Sequence, residues 1–208
     1  MRLIADNLAV ARGGRRLIEG LSFSVSAGEA LVLTGPNGVG KTTLLRTLAG
    51  LIVPAAGAVG LEGAPTDATV GECAHYVSHA NAVKAGLTVR ENAHFWARFL
   101  GDNRASVDDA LDAVGLLDIE SIPAGYLSAG QKRRLGLTRL LLAKRPLWLL
   151  DEPTVSLDAS SQAWLARQMQ GHLDGGGILV AATHAPLGLA AQRTLALETV
   201  AMSEDIAL

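Results

Sequence analysis

The 208-residue chain is long enough for one large domain, or a core carrying one subdomain, and leaves little room for a second independent domain. Hydrophobic residues make up 49%, enough for a sizeable core, and the net charge of -2, without an acidic or basic tail, argues against a nucleic-acid partner. A single cysteine, Cys73, excludes an internal disulfide, and Met1-Arg2-Leu3-Ile4-Ala5-Asp6 lacks the apolar core of a signal peptide. No apolar run approaches the roughly 20 residues of a spanning helix. The best, from Ile178 to Ala191, is interrupted by Thr183, His184 and Pro186, so work on a membrane would need another chain to cross it.

Leu3 to Val10 reads as a strand, and Leu21 to Val25 alternates apolar and polar residues with the period of a half-buried strand. After a turn at Ala27-Gly28, the apolar run Glu29 to Thr34 is a buried strand leading into a glycine-rich loop. Thr42 to Ala49 follows as a helix with Leu44, Leu45 and Leu48 on one face and Gly50 as its stop. Residues 54–70 are rich in Pro, Ala and Gly and read as turns joining short strands. From about residue 86 the pattern turns helical: Leu87 to Asn92 leads into a helix over Ala93 to Leu100. Ser106-Val107-Asp108-Asp109 matches a capping box for the next helix, which Gly115 ends. Ser128 opens a further helix carrying Leu135, Leu137, Leu140, Leu141 and Leu142. Leu147 to Leu150 and Ile178 to Ala182 are buried strands, ending in Asp151-Glu152-Pro153 and Thr183-His184. Short apolar strands alternating with helices predict an α/β core with parallel strands, and the helical block near 86–130 reads as an insertion.

The segment Gly35-Pro36-Asn37-Gly38-Val39-Gly40-Lys41-Thr42-Thr43 fits G-x-x-x-x-G-K-[ST] and lies between a predicted strand and a predicted helix. Its glycines let the backbone wrap closely around phosphate, while the loop N–H groups and the helix N-terminus favour negative charge. Lys41 would reach the β- and γ-phosphates of ATP, and Thr42 would ligate Mg²⁺. The run Leu147 to Pro153 is the expected end of a buried strand facing the metal. Asp151 would hold Mg²⁺ through water, and Glu152 would polarise the attacking water as general base. Plain alternatives stand beside both: glycine-rich turns occur without ligands, and paired carboxylates can simply end a strand.

Leu127-Ser128-Ala129-Gly130-Gln131 resembles the signature pentapeptide of the ATP-binding cassette (ABC) family, with Ala129 in place of one glycine. Taken alone, Ser128 is an ordinary helix N-cap; its place 23 residues before Asp151 favours the family reading. The resemblance covers about residues 3 to 190. It implies a P-loop NTPase core with a mixed, largely parallel sheet, an N-terminal antiparallel β part and an inserted helical subdomain. The core would span about 1–75 and 136–208, and the subdomain about 76–135. It further implies that Ser128, Gly130 and Gln131 contact the γ-phosphate held by a facing copy, giving a homodimer that sandwiches two MgATP. Asp158, in Ser156-Leu157-Asp158, resembles the D-loop, and His184, 33 residues after Asp151, resembles the switch histidine that touches the γ-phosphate. Leu87 to Asn92 resembles the segment near which family members meet their membrane subunit.

Two positions depart from the family pattern. His79 stands where most members carry the Q-loop glutamine; it could bond the attacking or metal-bound water, or be an ordinary loop histidine. Arg12 stands where an aromatic residue stacks on adenine; a guanidinium plane can stack as well, so the expected adenine grip is weaker or different, and base selectivity is open. Within the family, these departures, Ser128 to Arg134 and Glu91 to Phe95 resemble the ATP-binding subunits of cytochrome c maturation haem exporters. That resemblance implies a peripheral subunit on the cytoplasmic face of the inner membrane, joined to integral permease subunits, with no nucleic acid. The competing readings are an exporter of lipid, drug or ion and, from a different class, a soluble ABC ATPase of DNA repair or translation. The latter usually carries two cassettes or a coiled-coil insertion, absent from this sequence.

Overall fold

The computed structural model describes residues 1–101 and 105–198. Residues 199–208, the tail of the expected core, and 102–104, within the expected helical subdomain, lie outside the described residues. Two sheets organise the chain. The first is antiparallel, with strands β1 (Arg2–Arg12), β2 (Arg15–Ser26) and β4 (Ala56–Glu62) in the order β2-β1-β4. β1 and β2 form a hairpin in which Arg12 pairs with Arg15 across Gly13-Gly14, both glycines at positive φ as a two-residue hairpin turn requires. The second sheet is parallel, in the order β5-β6-β7-β3-β8, from β3 (Ala30–Thr34), β5 (Ala74–Val77), β6 (Leu147–Asp151), β7 (Ile178–Ala182) and β8 (Arg193–Ala196).

The continuous apolar runs belong to strands covered on both faces. Leu31 and Leu33 of β3, Leu147 and Leu149 of β6, and Ile178 and Val180 of β7 enter one core with the antiparallel sheet and helix α1 (Lys41–Leu48). Their alternate neighbours Val32, Trp148, Leu150, Leu179 and Ala181 enter a second core with Leu165, Met169 and Leu173 of α6 (Ala159–Asp174). A third core, around Val89, Ala93, Leu111, Leu116 and Leu135, joins α2 (Val89–Leu100), α3 (Val107–Ala113) and α4 (Ala129–Leu137). These helices, with α5 (Arg139–Leu142), lie between β5 and β6 in sequence.

The helix ends differ from the sequence expectation in two places. At Ser106 the hydroxyl accepts from the Asp109 N–H at 3.0 Å, but the reciprocal arm is missing: Ser106 Oγ donates to Asp109 Oδ2 at 2.7 Å instead. Aspartate is one methylene too short to reach back to the cap N–H. Full capping boxes form at Thr88/Glu91 and Ser128/Gln131, where the longer side chain reaches. The expected continuous helix from Ser128 through Leu142 is also interrupted. The Thr138 hydroxyl donates back to the Leu135 carbonyl at 2.7 Å, and a short hitch there separates α4 from α5.

His75 of β5 is 1% exposed and bonds through Nε2 to the Ala143 carbonyl at 2.9 Å. Burial pushes its pKa down to about 4 from the ordinary 6.5, so the ring folds neutral. In the unfolded chain the ring binds its proton at the higher pH. The stability it contributes is therefore complete above about pH 6.5 and lost as pH falls toward 4, by about 1.4 kcal/mol per pH unit inside that window. Urea midpoints of the wild type should fall more steeply between these pH values than those of His75→Gln; parallel slopes would refute the linkage.

Candidate functional site

The carboxyl ends of β3, β6 and β7 are adjacent, and the loops leaving them converge, as expected of an open parallel sheet. A cavity of about 420 Å³ opens there, lined by Arg12, Leu17, Asn37, Gly38, Gly40, Lys41, Thr42, Thr43, Asp151 and Glu152. It brings together the glycine loop and both acids, which are separated by more than a hundred residues in sequence.

The loop from Gly35 to Gly40 is held by packing on two sides. Gly35, at φ 132°, would place a Cβ 2.4 Å from the Leu197 carbonyl, so only glycine fits beneath the chain leaving β8. Gly40, at φ 114°, is the N-cap of α1 and lies against Leu17 and Ile18. No side chain caps α1, which leaves its first-turn N–H groups directed at the cavity as an anion site. Lys41 is 9% exposed. Its ammonium donates to the carbonyls of Gly35 at 2.6 Å and Pro36 at 3.1 Å, and lies 3.2 Å from His184 Nε2. That nitrogen is also 3.2 Å from Asn37 Oδ1. One ring nitrogen thus faces a donor and an acceptor, and the tautomer decides which it serves. His184, two residues beyond β7, reaches the loop through these contacts.

Asp151 ends β6 at 3% exposure, and its Oδ2 has no hydrogen-bond partner. A buried carboxylate oxygen costs free energy unless it is paired. In a cavity that Thr42 and the glycine loop also line, such an oxygen suits a hard cation that takes only one or two protein ligands. Glu152 follows with φ 46°, a left-handed backbone that a side-chain-bearing residue adopts only when its surroundings hold it. Its N–H donates to the Ala182 carbonyl at 2.8 Å, and its carbonyl accepts from Arg133 at 2.8 Å.

The other candidates lie outside the cavity lining. Ser128 and Gln131 are engaged with each other at the start of α4, and Gly130 lies against the Ser156 carbonyl. Asp158 caps α6: its carboxylate accepts from the Ser161 N–H at 2.8 Å and from the Ser160 hydroxyl at 2.9 Å. These bonds, the Ser161 N–H foremost, hold its pKa at about 2. His79 is exposed, just past the end of β5. Arg12 lines the cavity, as its position predicts, and Leu17 does so unforeseen. The hairpin turn at Gly13-Gly14 was the signal that would have placed Leu17 beside the loop.

A strand, a phosphate-type loop and an uncapped helix on a parallel sheet, with two acids on the neighbouring strand but one, define a P-loop NTPase fold. The family model described as ABC transporter matches residues 18–155, and the chain belongs to this family. Its curated relatives include the cytochrome c biogenesis ATP-binding export protein CcmA of Nitrobacter winogradskyi, 54% identical over 92% of this chain and 96% of the relative. The protein of the same name from Rhizobium meliloti is 52% identical over 94% of this chain and 97% of the relative. Among solved structures, a putative ABC transporter ATP-binding protein from Pyrococcus furiosus superposes with a TM-score of 0.79 at 26% identity, covering 95% of this chain and 98% of that one. A dimeric ATP-binding cassette, solved in a post-hydrolysis state with ADP and phosphate, shares the fold at a TM-score of 0.80 and 21% identity, covering 94% of each chain.

Proposed function

We propose that this chain is the ATP-binding, ATP-hydrolysing subunit of an inner-membrane ABC complex that handles haem during c-type cytochrome assembly. The observation that carries this reading is 54% identity to a cytochrome c biogenesis export protein along 92% of the chain, with the loop and both acids on one cavity.

The chemistry follows from the groups present. The loop N–H groups, the α1 N-terminus and Lys41 bind the phosphates. Thr42 and Asp151, whose Oδ2 is otherwise unpartnered, are the residues to hold Mg²⁺. The ion supplies charge neutralisation on the phosphoryl oxygens. Glu152 takes a proton from the attacking water, and His184, already against Lys41 and Asn37, steadies the γ-phosphate end. Arg12 and Leu17 flank the entrance and supply the base contact through a guanidinium plane and an aliphatic face.

Ser128, Gly130 and Gln131 complete the site of a facing copy. That none of them lines the cavity of their own chain supports a homodimer in which two ATP molecules are sandwiched. Nucleotide binds both sides of the seam, so hydrolysis biases the pair toward opening. In this reading Asp158 stabilises the segment at that seam through α6. His79 lies on the loop joining the RecA-like core, about 1–75 and 136–208, to the helical subdomain, about 76–135.

Among the described residues no helix is long and apolar enough to cross a membrane. In this reading the membrane partner is a separate permease. Its docking surface is the outer side of α2. Phe99 is 70% exposed and Phe95 39%, the two rings stack at 5.9 Å, and Glu91, His94 and Arg98 frame them. The chain then sits peripherally on the cytoplasmic face. Deletion in the native host should abolish covalent haem in c-type cytochromes, read by haem-stained gels. Normal cytochrome levels would reject the haem role and leave an ATPase for another cargo.

A further inference from the structure

Arg133 lies in the exposed-looking run Lys132-Arg133-Arg134, yet it is 2% exposed. A guanidinium has five N–H donors, and here every one is used. Nε donates to the Pro153 carbonyl at 3.2 Å. Nη1 donates to the Ser78 carbonyl at 2.7 Å and to Asn81 Oδ1 at 3.1 Å. Nη2 donates to the carbonyls of Asp151 at 3.2 Å and Glu152 at 2.8 Å. One side chain of the signature helix thus grips three consecutive carbonyls at the acidic end of β6 and two groups on the loop that carries His79.

Arg133 is the centre of a longer face. Gly130, Arg133, Gly136 and Arg139 recur every third residue along α4 and into α5: Gly130 meets the loop after β6, Gly136 and Arg139 meet the loop after β5, and Arg133 meets both. A Cβ on Gly130 would stand 2.9 Å from the Ser156 carbonyl, and one on Gly136 would stand 2.9 Å from the Asn81 carbonyl. Arg139 donates to that Asn81 carbonyl at 2.6 Å and stacks its guanidinium over Trp96 of α2 at 4.2 Å. The glycines let backbone lie directly on the helix, and the arginines fasten it there.

Burial makes this costly. Desolvation lowers the Arg133 pKa against the opposing pull of Asp151 and Glu152, and no carboxylate pairs with its guanidinium among the described residues. A simple helix-to-strand contact between these elements could be made by an aliphatic side chain at lower cost. What an arginine adds is a fixed orientation for several carbonyls at once. Among those carbonyls is that of Glu152, whose left-handed backbone aims its carboxylate at the cavity.

We propose that Arg133 is a positioning residue for Asp151 and Glu152 of its own subunit, so that hydrolysis at one site depends on how that subunit's own signature helix is seated. The signature helix would otherwise serve only the facing subunit's nucleotide. Through Arg133 it also sets the general base at home, and the two sites of a dimer become coupled through each chain. The proposal rests on the ATPase reading above.

The test uses the complex assembled with its membrane partner. Arg133→Lys keeps the charge but has three donors on a single nitrogen. The expected result is a kcat about 10²-fold lower, as for a misplaced catalytic group, with ATP affinity within about threefold of wild type, as expected when only transition-state contacts are lost. Mixed dimers locate the effect. When one chain carries Lys41→Ala, the productive site belongs to the other chain. Turnover should fall when Arg133→Lys lies on the Lys41-intact chain. An equal fall with Arg133→Lys on the Lys41→Ala chain would overturn the proposal, because it would place the role in the signature's trans contact. Unchanged kcat in Arg133→Lys would also overturn it. Should that variant melt early, Asn81→Ala removes one of the five acceptors. A kcat several-fold lower at unchanged affinity supports the role, and unchanged kcat counts against it. Absence of ATPase in the wild-type complex would fail the ATPase reading itself, an outcome distinct from all of these.

Discussion

Glu152→Gln is expected to slow ATP turnover by roughly 10²-fold or more, to leave nucleotide binding largely intact and to trap the dimer closed. The amide has the volume and hydrogen-bonding reach of the carboxylate but cannot take the proton of the attacking water. The substitution is also structurally quiet. The backbone at 152 is held by the Ala182 carbonyl on one side and Arg133 on the other, and neither contact involves the carboxylate. Phosphate release under single-turnover conditions reads the rate, and gel filtration with ATP reads the closed dimer. Wild-type turnover in this variant would sink the assignment of the general base.

Lys41→Ala is expected to act one step earlier, on binding. Its ammonium is nearly buried, and the bonds to Gly35 and Pro36 show how closely the loop encloses it. Removing a charged donor to phosphate costs about 1.5–3 kcal/mol, or roughly tenfold to more than a hundredfold in Kd for ATP. Titration with a fluorescent ATP analogue measures this, and a melting curve without nucleotide separates it from loosening of the loop. Unchanged affinity would count against the phosphate role of the loop.

These two variants fall on the part of the site that was most legible in sequence. The loop and the acids sit at the ends of β3 and β6, which read as strands because both faces are buried and no polar residue interrupts them. Where a strand carries polar residues the signal fades. β5 holds His75 and Tyr76 in four residues, and β8 begins with Arg193 and runs only to Ala196, so neither was foreseen. Helix α6 was missed for another reason. Its buried face is a stripe only one residue wide, Ser161, Leu165, Met169 and Leu173, although Asp158 ahead of it is a proper cap. Arg133 was invisible because four of its five acceptors are backbone carbonyls, and a carbonyl leaves no mark on the sequence that accepts the bond. In a Lys-Arg-Arg run, solvent is the default expectation for every member, and only the fold distinguishes the buried one.

The Leu197 carbonyl over Gly35 has a consequence for how the protein is made. β3 pairs with β7 and β8, which begin at Ile178 and Arg193. During synthesis the apolar strand that bears the phosphate loop therefore emerges early and keeps both edges open until nearly the whole chain has followed. Non-local pairing of this kind is slow, and exposed edges invite other chains. β8, whose exit lies over Gly35, is the last of the described strands to be synthesised, so a nascent chain lacking it is expected to hold ATP less well than the mature one. Ribosome-bound chains arrested before residue 178 should accordingly depend on holding chaperones, whereas chains released past Leu197 should not.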